Sequence, residues 1–284
     1  FDSSAGNLGG SGPGSVLSGQ NPFAARNYSG TWYDPNQSGH GLFLDQMPDG
    51  RLVAWWFNFD PAGAQAWFGG VGVINGTTAV INVVRTQGAR FIPNFNSAEA
   101  VNTPIGTLSF SFSACDRGRV DFALDSTFGT GFMNLTRLTA PLGVACAATP
   151  ATMAAGLKSL GIAQGWRADF SPLVGPVILK ASEPTVGPIA GLTGVWFDPA
   201  QAGQGLFLEN LGNGSVLGWW FTFGPNGGQA WFGGLGTILD GNRARIEFTR
   251  TSGGRWIPNF DPTAVANPAI GPVTLTFSSC SQGR

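Results

Sequence analysis

The side chains best suited to bind another molecule occur twice in this chain, at matched positions 164 or 165 residues apart. They are Trp56, Trp67, Gln65, Arg85 and Arg90 in the first half, and Trp220, Trp231, Gln229, Arg250 and Arg255 in the second. Tryptophan rings stack on sugar rings or on apolar protein surfaces, and arginine and glutamine donate hydrogen bonds to polar groups. We therefore take these ten residues as candidate binding positions, with core packing as the competing interpretation.

The segment around the first tryptophan pair alternates between two faces of a strand. One face carries an apolar stripe, formed by Val53, Trp55, Phe57 and Phe59. This stripe predicts that Trp55 and its counterpart Trp219 lie in the two domain cores. Trp56 and Trp220 are then predicted to be exposed on the opposite face.

Histidine catalysis has no support in the sequence. His40 is the only histidine, and the matched position in the second copy is Gln204. A catalytic group that both copies need should occur in both, so a serine–histidine or cysteine–histidine mechanism is not indicated. We interpret His40 as a solvated loop residue.

Two carboxylate positions are matched between the copies, Asp34 with Asp198 and Asp45 with Glu209. A glycosidase needs two carboxyl groups that face each other across about 5–10 Å, and nothing else in the sequence indicates such a cleft. Calcium needs several oxygen ligands. The candidate ligands are Asp34, Asn36 and Ser38, and the second copy has alanine in place of the last two, at positions 200 and 202. No His/Cys cluster has zinc spacing. The chain is predicted to be non-enzymatic, without metal or cofactor.

A duplicated strand–turn–strand unit organises the chain. Val53–Pro61 and Gln65–Gly70 recur as Leu217–Pro225 and Gln229–Gly234. Short apolar strands separated by Gly- and Pro-marked turns predict an all-β protein of two tandem antiparallel β-barrel or β-sandwich domains. The predicted divisions are a flexible arm at 1–28, a first β-domain at 29–146, a connector at 147–190 and a second β-domain at 191–284.

The second copy stops earlier than the first. Arg284 aligns with Arg119, after which the first copy continues through two more predicted strands. An open sheet edge exposes unpaired backbone groups, so we expect a segment outside the repeat to complete the second domain. The two candidates are the arm around Val16–Phe23 and the connector around Leu173–Lys180. The alternative is a longer chain whose own strands fill the gap.

Composition narrows the choice of partners. Charged residues make up 11% of the chain, and the formal net charge is −1. Such a chain has no basic footprint for nucleic acid, and a low net charge does little to oppose self-association. No apolar run reaches the ~20 residues of a membrane helix. We predict a homo-oligomer or polymer, a glycan as a further possible partner, no nucleic acid and no membrane span.

Both copies contain the pattern Gly-x-Trp-Tyr/Phe-Asp-Pro-x-x-x-Gly-x-Gly-Leu-Phe-Leu, followed by Trp-Trp-Phe-x-Phe and Trp-Phe-Gly-Gly. The pattern resembles a Gly/Trp-rich tandem β-module of secreted proteobacterial proteins, over residues 30–139 and 193–284. That resemblance implies export and a β fold, and it transfers no catalytic residue. The Gly-x-Trp start of each copy is also similar to the start of lipocalin and avidin barrels.

These observations predict a secreted, non-enzymatic structural or adhesive protein. It would self-assemble through strand or apolar-surface contacts into an extracellular filament, matrix or surface layer. The alternative is a carbohydrate- or small-ligand-binding module that uses the matched Trp, Arg and Gln residues. The expected location is extracellular, at the bacterial cell surface or in its matrix.

Cys115 and Cys146 are predicted to form a disulfide, because one ends a strand and the other follows the last strand of the first copy. Cys280, the counterpart of Cys115, is then left unpaired. Closing a loop of about thirty residues should stabilise the first domain by roughly 3–4 kcal/mol. Peptide mapping without reductant should recover the Cys115–Cys146 peptide, and a free thiol at either position would contradict the pairing.

Overall fold

The computed structural model describes residues 27–144, here the first repeat, and residues 191–284, here the second repeat. Each repeat forms one antiparallel β-sheet, which confirms the predicted all-β fold and the tandem arrangement. Residues 1–26 of the predicted arm, the connector, both candidate donor segments and Cys146 lie outside the described residues, and the predictions about them stay predictions. The arm was predicted to extend to residue 28, but Tyr28 is buried in the core of the first barrel. Within the described ranges, no helix is long and apolar enough to cross a membrane.

The first repeat is a closed barrel of eight strands in sequential order. The strands are β1 (Gly30–Tyr33), β2 (Gly41–Gln46), β3 (Arg51–Phe59), β4 (Gln65–Asn75), β5 (Thr78–Gln87), β6 (Val101–Ala114), β7 (Arg117–Leu124) and β8 (Thr130–Arg137). β1 pairs with β8 in the register Trp32 to Arg137 and Tyr33 to Thr136, which closes the barrel. Closure leaves no free sheet edge in this repeat.

The second repeat is a seven-stranded sheet that curls into a half-barrel. Its strands are β9 (Gly194–Trp196), β10 (Gly205–Asn210), β11 (Ser215–Phe223), β12 (Gln229–Asp240), β13 (Arg243–Thr249), β14 (Ala269–Ser279) and β15 (Gln282–Gly283). In the described part of the chain, β9 pairs with β10 alone and β15 with β14 alone. The second repeat therefore corresponds to the first as far as the start of β7.

A tight turn joins β3 to β4 in the first repeat and β11 to β12 in the second, as the Pro and Gly residues predicted. In the first repeat, Asp60 and Ala64 exchange backbone and side-chain hydrogen bonds across the turn. Gly63 has a φ of 90° there, and its counterpart Gly227 has a φ of 84°. These are left-handed conformations that residues with a Cβ rarely adopt, so glycine is required at both turns.

The predicted facing of β3 is wrong by one position. Trp56 is 0% exposed and lies inside the first barrel, whereas Trp55 and Phe57 lie on the outside, against the second repeat. The same holds for β11, where Trp220 packs inside the half-barrel and Trp219 faces the first repeat. Alternation separates two faces correctly, but here both faces are buried, and the apolar stripe covers the partner repeat instead of the barrel interior.

Each repeat sends one loop into the interior of the other. Trp256, between β13 and β14, enters the first barrel, where its ring centre is 4.8 Å from that of Trp56. Its indole N–H donates to the Phe128 carbonyl at 2.6 Å. In the opposite direction, Phe91 lies 5.3 Å from Trp220, between ring centres. The two repeats therefore share their cores.

Trp256→Ala should destabilise the first barrel although the residue belongs to the second repeat. Removing a large buried aromatic side chain leaves a cavity and costs about 3–5 kcal/mol. Denaturant unfolding should show this loss, with Arg255→Ala, at the exposed neighbouring position, as the control. Equal midpoints for the two variants would contradict the shared core.

Candidate functional site

The junction between the repeats is built from pairs of equivalent residues, related by an approximate twofold axis. The outer faces of β3 and β4 pack against those of β11 and β12. Phe57 stacks on Trp219 with ring centres 4.0 Å apart, and Phe43 and Phe207 meet at 4.1 Å. Such aromatic contacts add stabilisation beyond the area they bury. The junction is therefore an extended core, and the apolar stripe of the sequence is the part that forms it.

Two glutamines join the repeats through their side-chain amides. Gln65 Nε2 donates to the Trp231 carbonyl at 2.8 Å, and its Oε1 accepts from the Trp231 backbone N–H at 3.4 Å. Gln229 makes the same pair of bonds to the backbone of Trp67. Each side-chain amide thus bonds to the backbone of the other repeat as a neighbouring strand would. This explains why a buried glutamine occurs at the same place in both repeats.

The matched tryptophan and arginine residues complete this arrangement. Trp67 Nε1 donates to the Thr222 carbonyl and Trp231 Nε1 to the Asn58 carbonyl, both at 2.9 Å. Arg85 Nε donates to Gln229 Oε1 at 2.8 Å. By symmetry, Arg250 Nε donates to Gln65 Oε1 at 3.2 Å. Each guanidinium orients the glutamine that crosses to the other repeat.

The ten candidate binding residues therefore separate into three groups. Six lie at the junction: Gln65, Trp67, Arg85, Gln229, Trp231 and Arg250. Trp56 and Trp220, predicted to be exposed, are in the interiors of the two repeats instead. Arg90 and Arg255 are exposed on the loops that carry Phe91 and Trp256. The side-chain amides of Gln65 and Gln229 and the indole N–H groups of Trp67 and Trp231 are already used in bonds between the repeats.

A polar cluster at one end of the junction was not predicted from the sequence. Glu209 of β10 is fully buried, and its carboxylate accepts hydrogen bonds from Thr31 Oγ1 at 3.0 Å and from Thr139 Oγ1 at 2.5 Å. Burial raises the pKa of Glu209 to about 7, while the two hydroxyl bonds and the charge of Arg137 oppose this rise. Its match with Asp45 was the only sequence signal, and burial also raises the pKa of Asp45.

Arg137 is the cation nearest to this carboxylate. It is buried beside Trp32, and its guanidinium donates to the backbone carbonyls of Asn27, Ser29, Cys115 and Thr139. Burial lowers its pKa to about 10, so it stays charged at neutral pH. Arg137 fastens the end of β8 to the start of the repeat and places Thr139 against Glu209.

His40 is buried, which corrects the interpretation of a solvated loop residue. Its Nδ1 accepts from the indole N–H of Trp56 at 3.1 Å, and Phe260 of the second repeat packs edge-on at 4.5 Å. Burial lowers the pKa of His40 to about 3, so its imidazole is neutral. Its counterpart Gln204 accepts instead from Thr222 Oγ1 at 2.6 Å. Both residues are hydrogen-bond acceptors that support the neighbouring strand.

Two cavities open at the junction. The first, of about 550 Å³, lies where the β3–β4 and β11–β12 turns meet, and Gln65, Gln229 and Arg250 contribute to its wall. The second, of about 310 Å³, is lined by residues of both repeats, and Trp55, Phe207 and Phe221 are among its aromatic side chains. Among residues 27–144 and 191–284, no three His, Cys, Asp or Glu side chains gather as a metal site requires.

Comparison with known proteins gives no relative for this architecture. No family model, no curated protein and no solved structure matches the chain.

The contribution of Glu209 to the stability of the protein should fall as the pH rises from about 4.5 to about 7. The pKa of Glu209 is raised in the folded state, so folding is favoured most where this carboxyl is protonated, below its ordinary value of 4.5. The contribution is lost as the pH rises through the folded value of about 7, a change on the order of a few kcal/mol. His40 acts in the opposite direction, because its lowered pKa makes the folded state more stable as the pH rises toward 6.5. The Glu209 contribution is therefore measured by comparing the Tm of the unaltered chain and of Glu209→Gln at pH 5 and at pH 8.

Glu209→Gln should shift the Tm difference between pH 5 and pH 8 toward greater stability at pH 8, because glutamine does not titrate and the His40 contribution remains. Glu247→Gln is the matched control, since Glu247 is exposed and paired with Arg245 on the surface. A Tm difference that persists unchanged in Glu209→Gln would show that another group is responsible.

Proposed function

We propose that this chain is a secreted, non-enzymatic structural or adhesive protein that self-assembles through the open edge of its second sheet. The observation that carries the proposal is the contrast between the repeats. The first sheet is closed by β8, whereas no described strand closes the second beside β9. Proteins normally cover such an edge or use it to pair with another chain.

The register of the first repeat indicates which backbone groups of β9 are free for pairing. Thr31, in β1, accepts a bond from the Leu138 N–H at 2.7 Å, and its own N–H donates to Thr139 Oγ1. Thr31 pairs with Phe43 as Val195 pairs with Phe207, so Val195 is its structural counterpart. The N–H and carbonyl of Val195 therefore point away from β10, toward the open edge.

Side-chain exposure at this edge supports the same proposal. Val195 is 45% exposed and Phe197 62%, whereas the equivalent Thr31 and Tyr33 are buried. Apolar side chains on an uncovered strand edge favour association, and the low net charge of the chain opposes it little. A strand added at one edge makes a heterologous contact, and such contacts build filaments when they do not close into rings.

The proposal that the protein is not an enzyme is supported by how its unusual titratable groups are used. Among the Asp, Glu and His residues that the structure describes, His40 and Glu209 have the most strongly shifted pKa values. Both hold packed positions, and neither lines either of the two cavities described above. Catalytic groups need access to a substrate.

Val195→Pro should prevent or weaken assembly, since proline removes the N–H that faces the open edge and removes no bond to β10. Val195→Thr is the matched control, because it introduces the residue of the first repeat and keeps the N–H. Light scattering after gel filtration and negative-stain electron microscopy measure the assembly of both variants and of the unaltered chain. The proposal would be overturned if the unaltered chain stays monomeric at high concentration. Equal assembly of the unaltered chain and the two variants would overturn it as well.

A further inference from the structure

We infer that the junction cavity of about 310 Å³ is a binding cleft for a neutral saccharide. The cleft lies between the repeats, and its volume is at the lower end of the range typical of small-ligand sites. The lining residues that carry the argument are Trp55, Thr86 and Asn102 of the first repeat and Phe197, Gln204 and Phe207 of the second. The inference does not depend on assembly through the open sheet edge.

Trp55 provides an aromatic wall that the other half of the junction lacks. Its counterpart Trp219 is buried and stacks on Phe57, so both repeats have the same residue but only one indole is accessible. The ring nearest to Trp55 is Trp67, at 5.4 Å between centres and tilted by 56°. Among the described residues no aromatic ring lies parallel to Trp55. A sugar ring could therefore stack on it through the C–H groups of one face.

The polar groups of the cleft are neutral and partly free. Thr86 Oγ1 donates to Asn102 Oδ1 at 2.6 Å, which fixes the orientation of the Asn102 amide. The amide NH₂ of Asn102 bonds to no other described residue. Gln204 Nε2 uses one of its two hydrogens, in a bond to Gln201 at 2.8 Å. Both amides can donate to the hydroxyl groups of a ligand.

Charge restricts the class of ligand. No Asp, Glu, Lys, Arg or His lines the cleft. Burying an ionised ligand without a partner of opposite charge is costly, so uronic acids and charged peptides are disfavoured. A ring with apolar faces and neutral hydroxyl groups matches both the aromatic wall and the amide donors. This combination is the chemistry of an uncharged pyranose.

The equivalent region on the other side of the junction is filled by the protein itself. Leu138 is buried there, in the same cluster as Tyr33 and Phe43. The counterpart of Asn102 is Asn267, and its Oδ1 is buried without a hydrogen-bond partner among the described residues. The filled copy therefore holds an amide oxygen without a partner among the described residues. In the open cleft the Oδ1 of Asn102 is bonded to Thr86 and its NH₂ is free, so a ligand hydroxyl would accept from this amide.

Isothermal titration of the whole chain tests the inference with five probes, four saccharides and one peptide. Cellohexaose, maltohexaose and chitohexaose are the neutral saccharides, and an acidic hexagalacturonate is the charged comparison. Trp55→Ala should weaken binding of the preferred neutral saccharide about tenfold or more, and Asn102→Ala about threefold to tenfold. Asn134→Ala, at an exposed position on β8 outside the cleft, should leave the affinity unchanged.

Asn102→Ala keeps the test decisive if Trp55→Ala fails to fold, because Asn102 is exposed. Binding of none of the neutral saccharides would overturn the inference, and so would binding that both variants retain. A fifth probe is a peptide with the sequence of Leu135–Thr139, which models the filled side of the junction. If this peptide or the acidic hexamer binds and no neutral saccharide does, the cleft has a different ligand.

Discussion

The reciprocal bonds of Gln65 and Gln229 are the constraint on which the rest of the structure depends. Each side-chain amide pairs with the backbone of a tryptophan in the other repeat, with donor and acceptor both satisfied. A buried amide without partners costs more than a satisfied one contributes, so the two repeats fit in one register only. That register then places Phe57 on Trp219 and sends Trp256 into the first barrel. Neither repeat has a complete core without the other.

This arrangement resembles an isologous dimer whose two halves belong to one chain. In such an interface, when one residue of the first half contacts a second residue of the other half, the equivalents of the two residues make the same contact on the other side of the axis. One favourable pair of residues therefore stabilises the interface twice. The matched tryptophan, glutamine and arginine residues follow directly from this symmetry. Identical residues at matched positions therefore do not require a ligand, because a symmetric junction between repeats demands the same pairs.

The sequence predicted the strands, the turns and the duplication because these depend on local patterns. Alternation and the Gly63 turn define β3 and β4 without knowledge of the rest of the fold. The facing of Trp55 and Trp56 could not be predicted in the same way. Alternation assumes one buried face and one exposed face, and the outer face of β3 is covered by residues some 160 positions away. The burial of His40 was missed for the same reason, since Phe260 covers it from the other repeat.

The places where the symmetry fails are the places where the surface can interact with other molecules. Thr31 bonds with Glu209 and is covered by the segment that follows β8, whereas its counterpart Val195 has no hydroxyl and remains exposed. The free edge of β9 and the open cleft beside Trp55 both adjoin this position. Residues that pair across the axis are occupied in holding the repeats together, so unused bonding capacity on the surface is found where matched residues have different surroundings, as at Trp55 and Asn102. A binding role in a symmetric tandem protein is therefore best sought where the surroundings of matched residues differ between the two copies.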